Sequence, residues 1–136
     1  MVNILLVEDN LADILLVERA LAEYRVEHLL HIVRDGGEAL AFMARMGLPG
    51  EQPCPDIVLL DVNLPKIDGL EVLREFRKHP ACARTPVIAV TSSHSVRERA
   101  KMAALGVVRY FKKPSDLDAF LQIGAVVRDV IAEGGT

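Results

Sequence analysis

The chain has 136 residues, 51% of them hydrophobic and 26% charged, with a net charge of −3. This length and balance suit one globular domain with its own core and exclude a disordered chain. The charge carries no long basic run and no apolar run is long enough to span a bilayer, so neither nucleic acid nor a membrane is an expected partner.

The N-terminus enters a strand directly, without a secretory signal, and a cytoplasmic location is the expectation. Cys54 and Cys82 are the only cysteines and lack metal-type spacing, so two reduced thiols are expected rather than a disulfide or a site. Five short apolar runs then alternate with stretches of helical period. Asn3–Val7 reads as a strand. Leu11–Tyr24 follows as a helix with Ile14, Val17, Leu21 and Tyr24 on one side; Asn10 can cap its start, and Asp13 lies in its first turn. His28–Val33 is a more polar strand, suited to a sheet edge. Gly37–Met46 is the second helix, and Gly47–Pro55 is a loop rich in Gly and Pro. Asp56–Leu60 is the third strand and Leu70–Lys78 the third helix. Pro86–Val90 is the fourth strand, followed by a helix over Ser95–Leu105 that stops at Gly106. Val107–Phe111 is the fifth strand. Ser115 and Asp118 make a capping-box-like start to the last helix, with Leu117, Phe120, Leu121 and Val127 facing inward. Gly124 costs that helix stability unless something packs close against it.

Strict alternation of strand and helix calls for a doubly wound parallel α/β sheet of five strands with five helices, because parallel strands need crossover connections. Several strands are continuous apolar runs, as strands covered on both faces should be. No internal repeat is present. Residues 1–136 read as a single domain, with no output domain after the last helix.

In such a sheet, ligands bind beyond the carboxyl ends of the strands. Strand one ends there in Glu8-Asp9, strand three in Asp61, strand four in Thr91-Ser92-Ser93 and strand five in Lys112-Lys113-Pro114. Each has an ordinary reading. Glu8 and Asp9 can complement the dipole of the first helix, and Asp61 can form the turn before Pro65. Thr91 can cap the next helix, and Lys113 can be solvated. These readings do not explain why all fall at the carboxyl ends of inner strands. Alternation alone leaves open whether Lys112 or Lys113 faces the site.

Three carboxylates repel one another unless a cation holds them. Hard oxygen ligands with few protein contacts suit Mg²⁺ (or Mn²⁺). An aspartate kept ionised in that company can attack phosphorus and become an aspartyl phosphate. Positioning and charge neutralisation do most of the work of such a transfer, and Lys113 and the Thr91 hydroxyl would supply part of it. His28, His31, His79 and His94 lie on separate elements, so no structural zinc is expected.

The stretches LLVEDN (Leu5–Asn10), LLDVNLPKIDG (Leu59–Gly69), VIAVTSS (Val87–Ser93) and YFKKP (Tyr110–Pro114) together resemble the receiver domains of two-component response regulators. The resemblance implies a flavodoxin-like sheet of strand order 2-1-3-4-5 and a signalling domain rather than an enzyme with turnover. It implies Asp61 as phosphoacceptor, Glu8 and Asp9 as the acidic metal pair, and Asn63 as the donor of a backbone carbonyl to the metal. It makes Thr91 the switch hydroxyl, Tyr110 the aromatic that moves with it, and Lys113 the ion-pairing lysine, followed by a cis Pro114. Asn63 and Ser93 fall where hydrolysis of the phosphoryl group is tuned. The implied partners are a sensor histidine kinase and, through the face of helix 4, strand 5 and helix 5, a downstream protein or a second copy of the chain. NLPK with TSS, and the long Gly47–Pro55 loop, resemble stand-alone receivers paired with phytochrome-like kinases. Leu64 departs from the family's usual methionine.

Three other readings share parts of the pattern. A haloacid-dehalogenase-type phosphatase needs a second aspartate where Asn63 stands and a nucleophile after the first strand. A flavodoxin-like cofactor carrier wants Ser, Thr and Gly after strand one, where Glu8-Asp9 would repel its phosphate. A degenerate receiver would act only as a binding module.

Overall fold

The computed structural model describes residues 1–46, 48–50, 53–64, 68–92 and 96–134. The strands are β1 (Val2–Val7), β2 (His28–Val33), β3 (Ile57–Asp61), β4 (Val87–Thr91) and β5 (Val107–Lys112). The helices are α1 (Leu11–Glu23), α2 (Gly36–Arg45), α3 (Gly69–Arg77), α4 (Val96–Ala104), α5 (Leu117–Phe120) and α6 (Ile123–Gly134). All strand pairs are parallel and the order is β2-β1-β3-β4-β5. The polar strand β2 is at one edge, as its sequence suggested. Strand β5 forms the other edge, so Lys113 reaches the rim from an edge strand and not an inner one.

Consecutive residues of a strand point to opposite faces, and both faces are covered here. Leu5, Val7, Val58, Leu60, Val87 and Ala89 pack against Phe42 and Met43 of α2, Leu73 and Phe76 of α3 and Met102 of α4. Ile4, Leu6, Ile57, Leu59, Ile88 and Val90 pack against Ile14, Val17 and Leu21 of α1 and Ile123, Val127 and Val130 of α6. Every residue of β3 and β4 is buried, which accounts for their unbroken apolar runs. The chain of β5 carries a register shift opposite Val87 and Ile88, which adds Val108 to the strand.

Local signals set most boundaries to within a residue or two. The Asn10 side chain accepts from the Asp13 N–H at 3.1 Å and starts α1, as expected. Gly106 follows α4 with φ of +86°, a conformation that glycine adopts without a Cβ penalty. The last helical stretch differs from its sequence reading. Its cap is Asp116, not Ser115, accepting from the Ala119 N–H at 3.0 Å, because an ionised carboxylate suits the positive end of a helix better than a hydroxyl. The stretch is divided at Leu121 and Gln122 into α5 and α6. With that phase Phe120, Leu121 and Val127 are buried, whereas Leu117 is turned outward. Gly124 has the close neighbour it requires: a Cβ there would lie 2.4 Å from the Ala20 carbonyl oxygen of α1.

Two further expectations are corrected. The Lys113–Pro114 bond is trans, the isomer an X–Pro bond favours intrinsically by about 0.5–1 kcal/mol. Cys54 and Cys82 are not free thiols but form a disulfide. They stand 28 positions apart, yet β3 and β4 are neighbours, and the segments that enter these two strands bring the cysteines together. Among the described residues, no helix is long and apolar enough to cross a membrane.

Candidate functional site

The carboxyl ends of β1, β3, β4 and β5 gather five of the side chains singled out in the sequence. Glu8 continues β1 and is almost wholly buried; its backbone N–H donates to the Val33 carbonyl at 3.0 Å, which extends the ladder with β2 by one residue. Asp9 is exposed beside it, its carbonyl accepting from Arg34 at 3.1 Å. Asp61, the last residue of β3, is buried, and its Oδ1 accepts from the Asn63 N–H at 2.9 Å. That bond folds the chain back just beyond the strand and fixes the carboxylate. Oxygens of Glu8, Asp9 and Asp61 lie within 4.8 Å of one another.

Lys113 is where these acids meet. Its backbone N–H donates to the Thr91 carbonyl at 2.8 Å, carrying the β4–β5 pairing one residue past the strand. Its Nζ is 2.7 Å from Glu8 Oε1, 2.8 Å from Asp13 Oδ2 and 3.3 Å from Asp61 Oδ2. Lys112 points the other way and is exposed. The choice that alternation left open therefore falls on Lys113.

Asp13 is the residue that sequence reasoning missed, having been read only as a first-turn acid. Helical side chains lean back toward the N-terminus of their helix, and α1 starts at the rim. An acid in that first turn is thus aimed at the strand ends, and this was the available signal.

Burial sets the electrostatics of the cluster. It pushes the Glu8 carboxyl up to about 7; the hydrogen bond and charge of Asp61 add to the rise, and Lys113 opposes it. Burial alone would lower the Lys113 ammonium, but hydrogen bonds to Asp13 and Glu8 and the charges of Glu8 and Asp61 outweigh it and raise the pKa. The lysine remains charged while the acids compete for it.

The Thr91 hydroxyl is buried at the end of β4 and accepts from Asn63 Nδ2 at 2.8 Å. Tyr110 of β5 is half-buried. Its hydroxyl donates to the Arg99 carbonyl of α4 at 2.7 Å, and the Arg99 guanidinium stands 4.6 Å from the ring centre. A cleft of about 130 Å³ is lined by Thr91, Arg99, Tyr110 and Lys112. Ser93 lies outside the described residues.

The donor set fits a hard divalent cation. It is all oxygen and is drawn from the ends of two neighbouring strands, β1 and β3, and a small set of carboxylates suits Mg²⁺ and Mn²⁺, which keep waters or a ligand oxygen in their remaining positions. Glu8 must first lose its proton or its hold on Lys113, so occupancy and the lysine contacts are coupled.

The model of the response regulator receiver domain matches residues 4–124. Response regulator Rcp1 of Synechocystis sp. is 40% identical over 124 residues, covering 90% of this chain and 84% of that protein. The crystal structure of the Mn²⁺-bound form of Rcp1 superposes with a TM-score of 0.83 at 36% identity, over 95% of this chain and 93% of that one. The phosphorylated cyanobacterial phytochrome response regulator RcpA superposes with a TM-score of 0.85 at 38% identity, over 99% of this chain and 96% of that one. Strand order, matched sequence and the acid cluster around one lysine agree, and the chain belongs to the family of response regulator receiver domains.

Proposed function

We propose that the protein accepts a phosphoryl group on Asp61 from the phosphohistidine of a sensor histidine kinase and signals by reshaping its α4–β5–α6 face. The observation that carries this reading is the placement of a buried, oriented Asp61 carboxylate against Lys113 and beside Glu8 and Asp9. A carboxylate oxygen of Asp61 attacks phosphorus as the phosphorus–nitrogen bond breaks, and the electron pair leaves with the imidazole. Glu8, Asp9, Asp61 and the Asn63 carbonyl would hold Mg²⁺ or Mn²⁺, which when bound neutralises phosphoryl oxygens. Lys113 is already within reach of Asp61 to pair with the added charge. Asn63 and Ser93 tune the lifetime of the product. The likeness to Rcp1 and RcpA supports a phytochrome-like kinase as donor.

The new charge draws the Thr91 hydroxyl from Asn63 toward the phosphoryl group, and Tyr110 exchanges its hold on Arg99 for the cleft beside Thr91. The face so altered binds a downstream protein or a second copy of the chain. Incubation with acetyl phosphate and Mg²⁺, followed by intact-mass measurement, tests the reaction. One phosphoryl adduct is expected on the parent chain, and none in EDTA or on Asp61→Asn. An adduct on Asp61→Asn would refute the assignment, and none on the parent chain would leave a binding module.

A further inference from the structure

The opposite end of the sheet, where the strands begin, plays no part in that chemistry, yet two of its segments are tied together. Cys54 precedes β3 and Cys82 sits in the 3-10 turn Pro80–Cys82 before β4; their Cα atoms are 5.9 Å apart. At that distance a bridge closes or opens without displacing the backbone far. Cys82 is fully buried and Cys54 half-buried, so Cys54 is the more accessible of the two cysteines. The fold does not depend on the bridge for a core, because two large apolar clusters already cover the sheet.

The bridge also continues into a hydrogen-bonded chain. The Cys82 carbonyl accepts from Arg77 Nη1 at 2.9 Å, and the same nitrogen donates to Thr85 O at 2.7 Å. Arg77 Nε donates to Leu105 O at 2.8 Å and Nη2 to Gly106 O at 3.3 Å. Leu105 and Gly106 form the turn between α4 and β5. The guanidinium is a rigid planar fork, so a shift of the Cys82 carbonyl is felt at the other acceptors.

We propose that Cys54 and Cys82 form a reversible thiol–disulfide site whose state is passed through Arg77 to the turn between α4 and β5. A small-molecule disulfide such as oxidised glutathione serves as oxidant. The Cys54 thiolate attacks one of its sulfurs, that disulfide bond breaks, and one small thiolate leaves. The Cys82 thiol then gives its proton to solvent and attacks the Cys54 sulfur, expelling the second small thiolate. Two protein thiols are oxidised and one small disulfide is reduced to two thiols; reduction reverses both exchanges. Closed, the bridge fastens the Pro80–Cys82 turn to the entrance of β3. Open, the turn is held by its own backbone bonds, by Arg77 and by packing.

The test uses the full chain in glutathione buffers from fully reduced to fully oxidised, with alkylation and intact mass to count thiols. Amide hydrogen exchange is followed in parallel. The Leu105 and Gly106 amides are bonded to Met102 O and Ala103 O, so their exchange reports opening of this turn. Two alkylated cysteines are expected at the reducing end and none at the oxidising end. Closing should slow exchange at both amides about fivefold or more, the lower end of usual couplings between sites. Arg77→Lys should keep the thiol titration and lose that slowing. Cys54→Ser should show the faster exchange in every buffer. Stable mixed disulfides in place of the bridge would overturn the proposal, as would a bridge that stays closed in the reducing buffer. A bridge that titrates with no change at Leu105 and Gly106 would overturn the coupling. None of these measurements needs a phosphodonor, so they stand apart from the phosphorylation reading.

Discussion

Lys113 and Arg77 are cations held at opposite ends of the same sheet, and their partners differ in kind. Lys113 meets three carboxylates, each also claimed by another role. Arg77 meets backbone carbonyls, which have no charge to lose and no alternative cation. Burial lowers the Arg77 pKa, and no acid counters it, whereas the acids around Lys113 more than offset burial. An ammonium shared among carboxylates can be re-dealt when a charge is added nearby. A guanidinium clamped on carbonyls holds the end of α4 in place. The end of the sheet proposed to accept the phosphoryl group is thus electrostatically soft, and the other end is stiff.

Lys113 is the residue whose loss should cost the soft end most. Lys113→Ala should slow phosphorylation by acetyl phosphate about a hundredfold or more, as loss of a preorganised charge typically does. Lys112→Ala should stay near the parent rate, since its side chain is exposed. Equal losses measured by time-resolved intact mass would show that the ammonium at the site is not Lys113. Without the lysine, Glu8, Asp13 and Asp61 repel one another unrelieved, so Mg²⁺ should raise the melting temperature of Lys113→Ala more than that of the parent.

Arg77→Ala should do the reverse. It leaves the carbonyls of Leu105, Cys82 and Thr85 short of a donor and should cost roughly 2–3 kcal/mol in urea unfolding. The initial rate of phosphorylation should change little. A large loss of rate with unchanged stability would contradict the division between a soft end and a stiff one. A related comparison follows beryllofluoride, which mimics the aspartyl phosphate, by NMR. Shifts should reach Tyr110, Arg99 and the α4 N-terminal half, and be smallest at Leu105 and Gly106, where Arg77 holds the chain. Shifts confined to the loops around Glu8, Asp61 and Thr91 would sink the proposed route from site to face.

The smallest effect concerns neither cation. Gly124→Ala places a methyl 2.4 Å from Ala20 O and 2.5 Å from Tyr24 Cδ2, so α6 must move away from α1. About 1–3 kcal/mol of destabilisation is expected, with phosphorylation intact below the melting range. A neutral result would mean that the two helices slide apart at no cost.

The sequence by itself determined the order of elements, the placement of β2 at an edge and the positions of Glu8, Asp9, Asp61, Thr91 and Lys113 at strand ends. Those are properties of local period and chain order, and a parallel sheet translates them directly into space. The resemblance of four short stretches then supplied the strand order, and the roles proposed for those residues. What remained depended on contacts between distant segments. Asp13 joins Lys113 across 100 positions, Cys54 meets Cys82 across 28, and Arg77 finds the Leu105 carbonyl across 28. No periodic signal encodes such meetings, because each arises only after the helices have packed and the strands have fixed which loops lie side by side.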